Sequence, residues 1–198
     1  MQLDRTPGLP HALQRWLLAL LFALACPFAA LADALDGTLE VRSAYVTVDN
    51  GVYLLSARST YPMNDDIRGA LTDGVTLRFD FEAQVQKQRR YWTNAMLVDL
   101  TLRRELSWHA VTERFVVRDT ERGELGSFPT LDQALTAIGT VDNWPVVVEA
   151  QLETAASYEI SVRASVRRGS LPDALRSLVF WSDSWHRASD WYSWSLPR

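Results

Sequence analysis

At 198 residues, with 20 Lys+Arg against 24 Asp+Glu and a formal charge of −4 at pH 7, the chain lacks the electrostatic footprint that nucleic-acid binding requires. One cysteine, Cys26, excludes an internal disulfide and a thiolate metal site, so any fold must rest on its apolar core. Residues 33–198 suffice for one such core and are too few for two comfortable ones.

Arg5 and Arg15 precede an unbroken apolar run, Trp16–Ala25, which Pro27 breaks before the small-residue site Ala30-Leu31-Ala32. This tripartite pattern predicts a secretory signal peptide over residues 1–32, cleavage after Ala32, and a periplasmic mature chain that starts at Asp33. An uncleaved inner-membrane anchor is the alternative, because residues 16–32 are 17 uncharged positions, at the low end of a span. Lipidation of Cys26 is disfavoured by the placement of Leu24 and by Pro27 directly after the cysteine.

Beyond the leader, period-two patterning dominates. Asp49-Asn50-Gly51 separates two β-rich runs, and Asn-Gly supplies the positive φ angles of a tight turn, so Leu39–Val48 and Val52–Thr60 form a hairpin. A short helix, Asp66–Leu71, is capped by Asn64 or Asp65 and stopped by Thr72-Asp73-Gly74. Val75, Leu77, Phe79, Phe81, Ala83 and Val85 alternate with polar residues as a half-buried strand does. Met96, Val98, Leu100 and Leu102 repeat the pattern. In Glu105–Arg118 the apolar positions shift from Leu106, Trp108 and Ala110 to Val111, Phe115 and Val117, which predicts a bulge within a strand.

Thr130 with Gln133 makes a capping box that opens a helix over Leu131–Ile138, ended by Gly139. Trp144-Pro145, an aromatic–proline pair of the kind that raises the cis fraction, leads into a strand marked by Val146, Val148, Ala150 and Leu152. Tyr158, Ile160, Val162, Ala164 and Val166 mark another. A third helix is expected after Ser170, with Pro172 in its first turn. The sum is a mainly β, single-domain chain: an antiparallel β-sandwich, immunoglobulin-like in general plan, of about seven strands with two or three short helices in the connections.

No Gly-rich phosphate loop, His-Glu-x-x-His, Gly-x-Ser-x-Gly or Cys-x-x-Cys motif occurs, so no catalytic residue, metal site or cofactor is expected. Past the leader only His109 and His186 remain, each following a tryptophan, and both read as hydrogen-bonded edge residues. Asp65-Asp66 reads as helix capping, and Asp183 with Asp190 could serve acid–base chemistry only with raised pKa values.

The C-terminus differs in kind. Trp181, Trp185, Trp191 and Trp194, four of eight tryptophans, lie in the last 18 residues with His186 and Tyr192. Trp and Tyr give large contact area at low entropy cost, so Trp181, Trp185, His186, Trp191, Tyr192 and Trp194 are the candidate binding surface. The competing role is to close the core, with Trp191 expected to be the more buried and Trp194 the exposed one.

Trp108-His109-Ala110-Val111-Thr112 leading to Phe115-Val116-Val117, then Ser127-Phe128-Pro129-Thr130-Leu131, Trp144-Pro145-Val146, Leu171-Pro172, Trp185 and Ser189-Asp190-Trp191 are dispersed motifs in a fixed order. Through them the chain resembles the bacterial exported family labelled domain of unknown function 4390. The resemblance implies an exported single domain with no assigned activity. Some bacterial members are encoded beside a membrane-bound sensor kinase, which implies an envelope protein as partner. The expected function is therefore a non-catalytic binding or interaction module of the bacterial cell envelope, accessory to a membrane sensor kinase. A periplasmic small-ligand or glycan binder using the C-terminal aromatics, and an unrecognised hydrolase, are the alternatives.

Overall fold

The structure is a computed structural model that describes residues 38–62, 65–121, 123–169 and 186–197; the leader and the expected third helix lie outside the described residues. In chain order the elements are β1 (Glu40–Asp49), β2 (Val52–Thr60), α1 (Asp65–Thr72), β3 (Leu77–Lys87), β4 (Ala95–His109), β5 (Arg114–Asp119), β6 (Gly123–Phe128), α2 (Leu131–Gly139), β7 (Thr140–Val148), β8 (Tyr158–Arg168), β9 (His186–Ala188) and β10 (Tyr192–Ser195).

Local chemistry sets the first hairpin. Asn50 and Gly51 take φ of 48° and 75°, the left-handed pair that matches the twist of the strands it joins, and Asp49 faces Val52 across the turn. On its far side β2 accepts β7, giving a three-stranded sheet in the order β1-β2-β7. β7 is an edge strand, which is why Pro145 can sit in it without leaving a partner strand unbonded. The Trp144–Pro145 bond is trans, as is every peptide bond among the described residues.

The second sheet is built outward from β3, which pairs antiparallel along its whole length with β4 on one side and β8 on the other. β4, β5 and β6 continue as a meander, while the far edge of β8 carries β9 opposite Ser165–Arg167 and β10 opposite Glu159–Val162. Both sheets are antiparallel and the protein is mainly β. The ten strands among the described residues correct the expected seven or so, and the additions are β6 and the two tail strands β9 and β10.

Glu105–Arg118 is not one bulged strand. Ala110–Glu113 is a turn between β4 and β5, in which Glu113 adopts φ of 50° and Val111 stands in solvent. The tail, in turn, adds two short strands to one edge. The strand expected from Val146 to Leu152 instead begins at Thr140 and ends at Val148, and a single 3-10 turn over Glu149–Gln151 follows.

Each β3 side chain of one parity, Leu77, Phe79, Phe81, Ala83 and Val85, is buried, and so are Tyr53, Leu55 and Ala57 of β2 and Val141 and Val147 of β7. With Ile67 and Leu71 of α1 and Leu131, Ala134 and Ile138 of α2 they form one continuous core between the sheets. Full burial of each large apolar side chain is worth about 1.5–3 kcal/mol before entropy is counted. Among the described residues no helix is long and apolar enough to cross a membrane.

α2 opens as its sequence requires: the Thr130 hydroxyl accepts the Gln133 amide. Its other end is held from outside. The Arg104 guanidinium on β4 donates to the carbonyls of Ala137, Ile138 and Thr140 at 3.1, 2.7 and 2.7 Å, placing a cation on the negative end of the helix dipole.

Candidate interaction surface

The opposite parity of β3 carries Arg78, Asp80 and Glu82 onto the sheet's outer face, and the register sets charged residues of β4 and β8 beside them. Arg103 and Arg167 bracket the buried Asp80 carboxylate at 2.8 and 2.7 Å, Arg78 reaches Glu105 at 3.0 Å, and Arg163 reaches Glu82 at 2.7 Å. Opposite charges in cross-strand positions fix the side chains of this face in register. The Asp80 hydrogen bond, reinforced by its charge, pushes the Arg103 guanidinium up from its already high value, so it stays charged throughout. In the core, burial drives the Tyr61 phenol well above its ordinary range, against a smaller opposing effect of Arg104, and Tyr61 is therefore a neutral packing residue.

One tail aromatic is laid on this lattice. Trp191, just before β10, stands with its ring 4.5 Å from the Arg163 guanidinium carbon, so one arginine is shared between Glu82 and an indole face. The turn that delivers it is locked: the Ser189 amide donates to the Ala164 carbonyl at 2.8 Å, and the buried Ser189 hydroxyl accepts the Ala164 amide and donates to the Asp190 carbonyl. One residue on, parity takes over. Ser193 faces outward and shares a hydrogen bond with Ser161 at 2.8 Å, while Tyr192 and Trp194 stand opposite Val162 and Ile160, on the core side of the edge, with rings 5.6 Å apart.

The expected ranking of these tryptophans is thereby reversed. Trp194 is half-buried and packs on the core, whereas Trp191 is 39% exposed, with Tyr192 beside it at 41%. The cause is strand register: Trp194 falls on the parity of Ile160, and Trp191 precedes the strand and lies on the outer face. Trp181, Trp185 and Asp183 lie outside the described residues. His186 opens β9 opposite Arg167 and is exposed, apart from the β10 segment along β8. His109 ends β4, its Nδ1 3.0 Å from the Thr112 hydroxyl, on a different strand from His186. Among the described residues no three His, Cys, Asp or Glu side chains converge as metal ligands would.

Two further surfaces escaped the sequence reading. Beside α2 runs an apolar groove of about 670 Å³ lined by Arg104, Phe128, Gln133, Thr136, Ala137 and Asp142. The β3–β4 turn projects Tyr91 and Trp92, 82% and 80% exposed, next to a polar groove of about 610 Å³ lined by Lys87, Arg89, Arg90, Asn94, Glu153 and Ser157. The signal for the second was present in Lys87-Gln88-Arg89-Arg90-Tyr91-Trp92: three cations, the chain's one lysine among them, running into two aromatics.

The family described as Domain of unknown function (DUF4390) matches residues 36–195. The chain belongs to it. The match runs from before β1 to the last residue of β10, so the DUF4390 domain includes both sheets, the β3–β4 turn and the tail aromatics. No curated protein and no solved structure matches the chain.

Proposed function

We propose that this DUF4390 protein is an exported, non-catalytic interaction module of the bacterial cell envelope, freed into the periplasm by cleavage after Ala32, with an envelope protein such as the outward-facing part of a membrane sensor kinase as its partner. The domain is read as a two-sheet sandwich, immunoglobulin-like only in general plan. What supports the sandwich is that β2 and β7 of one sheet and β3 and β8 of the other feed a single core. One observation carries the functional reading: Trp191 and Tyr192 are exposed on a segment that the Ser189 bonds and the Arg163–Glu82 pair hold rigid. Rigid aromatics bind at little entropy cost, and such anchors dominate interface energetics.

Export is checked by intact mass in a Gram-negative host. The periplasmic protein should begin at Asp33, and a retained leader or an acylated Cys26 refutes the proposed processing. For binding, Trp191→Ala should melt within about 1 °C to 3 °C of the parent, as surface substitutions do, and lose about tenfold or more in capture of the partner from envelope extracts. Trp194→Ala is the contrast: it opens the core edge and should lower the stability by about 2–3 kcal/mol, read as a clearly depressed melt. Undiminished capture by the folded Trp191→Ala and Tyr192→Ala variants would remove the proposal's main support.

A further inference from the structure

The β3–β4 hairpin combines strands of 11 and 15 residues, and its tip gathers chemistry found nowhere else among the described residues. In a chain of net charge −4, residues 83–98 hold three cations, Lys87, Arg89 and Arg90, and no carboxylate. Tyr91 and Trp92 are the most exposed Tyr and Trp side chains described, and the Arg90 guanidinium lies 5.7 Å from the centre of the Tyr91 ring. Behind them Leu97 is skipped by the pairing, since Val85 faces Val98 and Gln86 faces Met96. That irregularity leaves Met96 and Leu97 exposed on the same end of the strand.

The groove beside the tip adds the complementary half. Lys87, Arg89 and Arg90 line it, and its one lining carboxylate, Glu153, is bonded to the Lys87 ammonium. A site with this excess of positive charge takes an anion. The surrounding aromatics and aliphatics project from a hairpin end and do not line a pocket, so the anion that fits best lies on a surface able to receive an apolar wedge. A bilayer with acidic headgroups meets both requirements: Trp and Tyr concentrate at headgroup depth, and each Arg or Lys near an anionic surface raises partitioning roughly fivefold.

We propose that the β3–β4 tip is a peripheral membrane anchor, which seats Tyr91 and Trp92 among the headgroups of an anionic bilayer and places Arg89 and Arg90 on lipid phosphates. The anchor requires no assumption about what Trp191 binds. It also leaves the outer-face lattice free, because the tip lies at the end of the strands and Trp191 stands beside Arg163 toward their middle.

The test is cosedimentation of the periplasmic protein, its intact mass determined first so that failed export and failed anchoring are separate results. Vesicles of phosphatidylcholine alone are compared with vesicles that also contain phosphatidylglycerol. The parent should bind the anionic vesicles about tenfold or more over the neutral ones. Arg89→Glu with Arg90→Glu should abolish that preference, and Trp92→Ala should weaken binding about tenfold at an unchanged melt. Added inorganic phosphate at matched ionic strength should compete no better than chloride. Competition by phosphate specifically would mean a small-anion site and overturn the anchor. Equal vesicle binding by parent and tip variants overturns it as well, and so does loss of protein capture with vesicle binding intact, which would make the tip a protein contact.

Discussion

Replacing Phe81 with Ala is expected to cost about 3–5 kcal/mol, a large share of the roughly 5–15 kcal/mol that holds a domain of this kind together. Phe81 lies at the middle of β3, opposite Leu102 of β4 and Ala164 of β8, so its backbone is fixed on both sides and cannot follow a shrinking side chain. The ring is buried and meets Trp144 of the other sheet edge-on, with centroids 6.3 Å apart. Small neighbours at Ala83 and Ala164 give the cavity no long side chain to swing in. Denaturant midpoints should therefore fall sharply for Phe81→Ala and less for Trp144→Ala, whose ring is only half-buried. The double variant should reveal a coupling of about 0.5–1.5 kcal/mol for the aromatic pair. A Phe81→Ala unfolding free energy within about 0.5 kcal/mol of the parent's would mean that the two sheets do not meet at this ring.

How much of this was legible depends on whether local chemistry and final environment agreed. They agree at Asn50-Gly51, where the turn residues permit one conformation, and along β3 and β8, where one face is core and the other a charge lattice, so the alternation is clean. They agree again at Thr130 and Gln133. They disagree at Ala110–Glu113. That turn contains no Gly, Pro or Asn, puts Glu113 in a left-handed conformation that costs an L-residue about 1–2 kcal/mol, and leaves Val111 in solvent, so it reads as continuous strand. β6, with Gly123 and Gly126 and little apolar alternation, gave no period at all, and β7 begins directly after α2 without a turn residue to announce it.

The surface was harder to read than the fold for a related reason. The tail aromatics are conspicuous as a composition, but whether Trp191 or Trp194 faces solvent depends on one residue of register against β8, which no property of the tail itself determines. The tip was overlooked for the opposite cause. Arg89, Arg90, Tyr91 and Trp92 look like ordinary loop residues until β3 and β4 pair, and only that pairing makes them the end of a hairpin.

Gly139→Ala should destabilise the protein by about 3 kcal/mol, and Gly69→Ala should stabilise it by about 0.4–1 kcal/mol, although both substitutions add one methyl group to a helical glycine. Gly69 lies inside α1, and a Cβ there meets nothing within 4 Å, so alanine simply narrows the unfolded ensemble and improves helix propensity. Gly139 is the last residue of α2, and a Cβ there would come within 2.2 Å of the Ser59 carbonyl oxygen. Neither side can yield cheaply. Ser59 belongs to β2, which is paired with β1 on one edge and β7 on the other, and the helix end is held by Arg104 through the carbonyls of its last turn, at Ala137, Ile138 and Thr140. Thr140 then enters β7 with no intervening loop to absorb a shift. Relief would have to come from lifting α2 off the core, exposing Leu131, Ala134 and Ile138. Thermal melts of the two variants should move in opposite directions from the parent, and a shift of the same sign in both would show that α2 does not pack against β2 as closely as Gly139 implies.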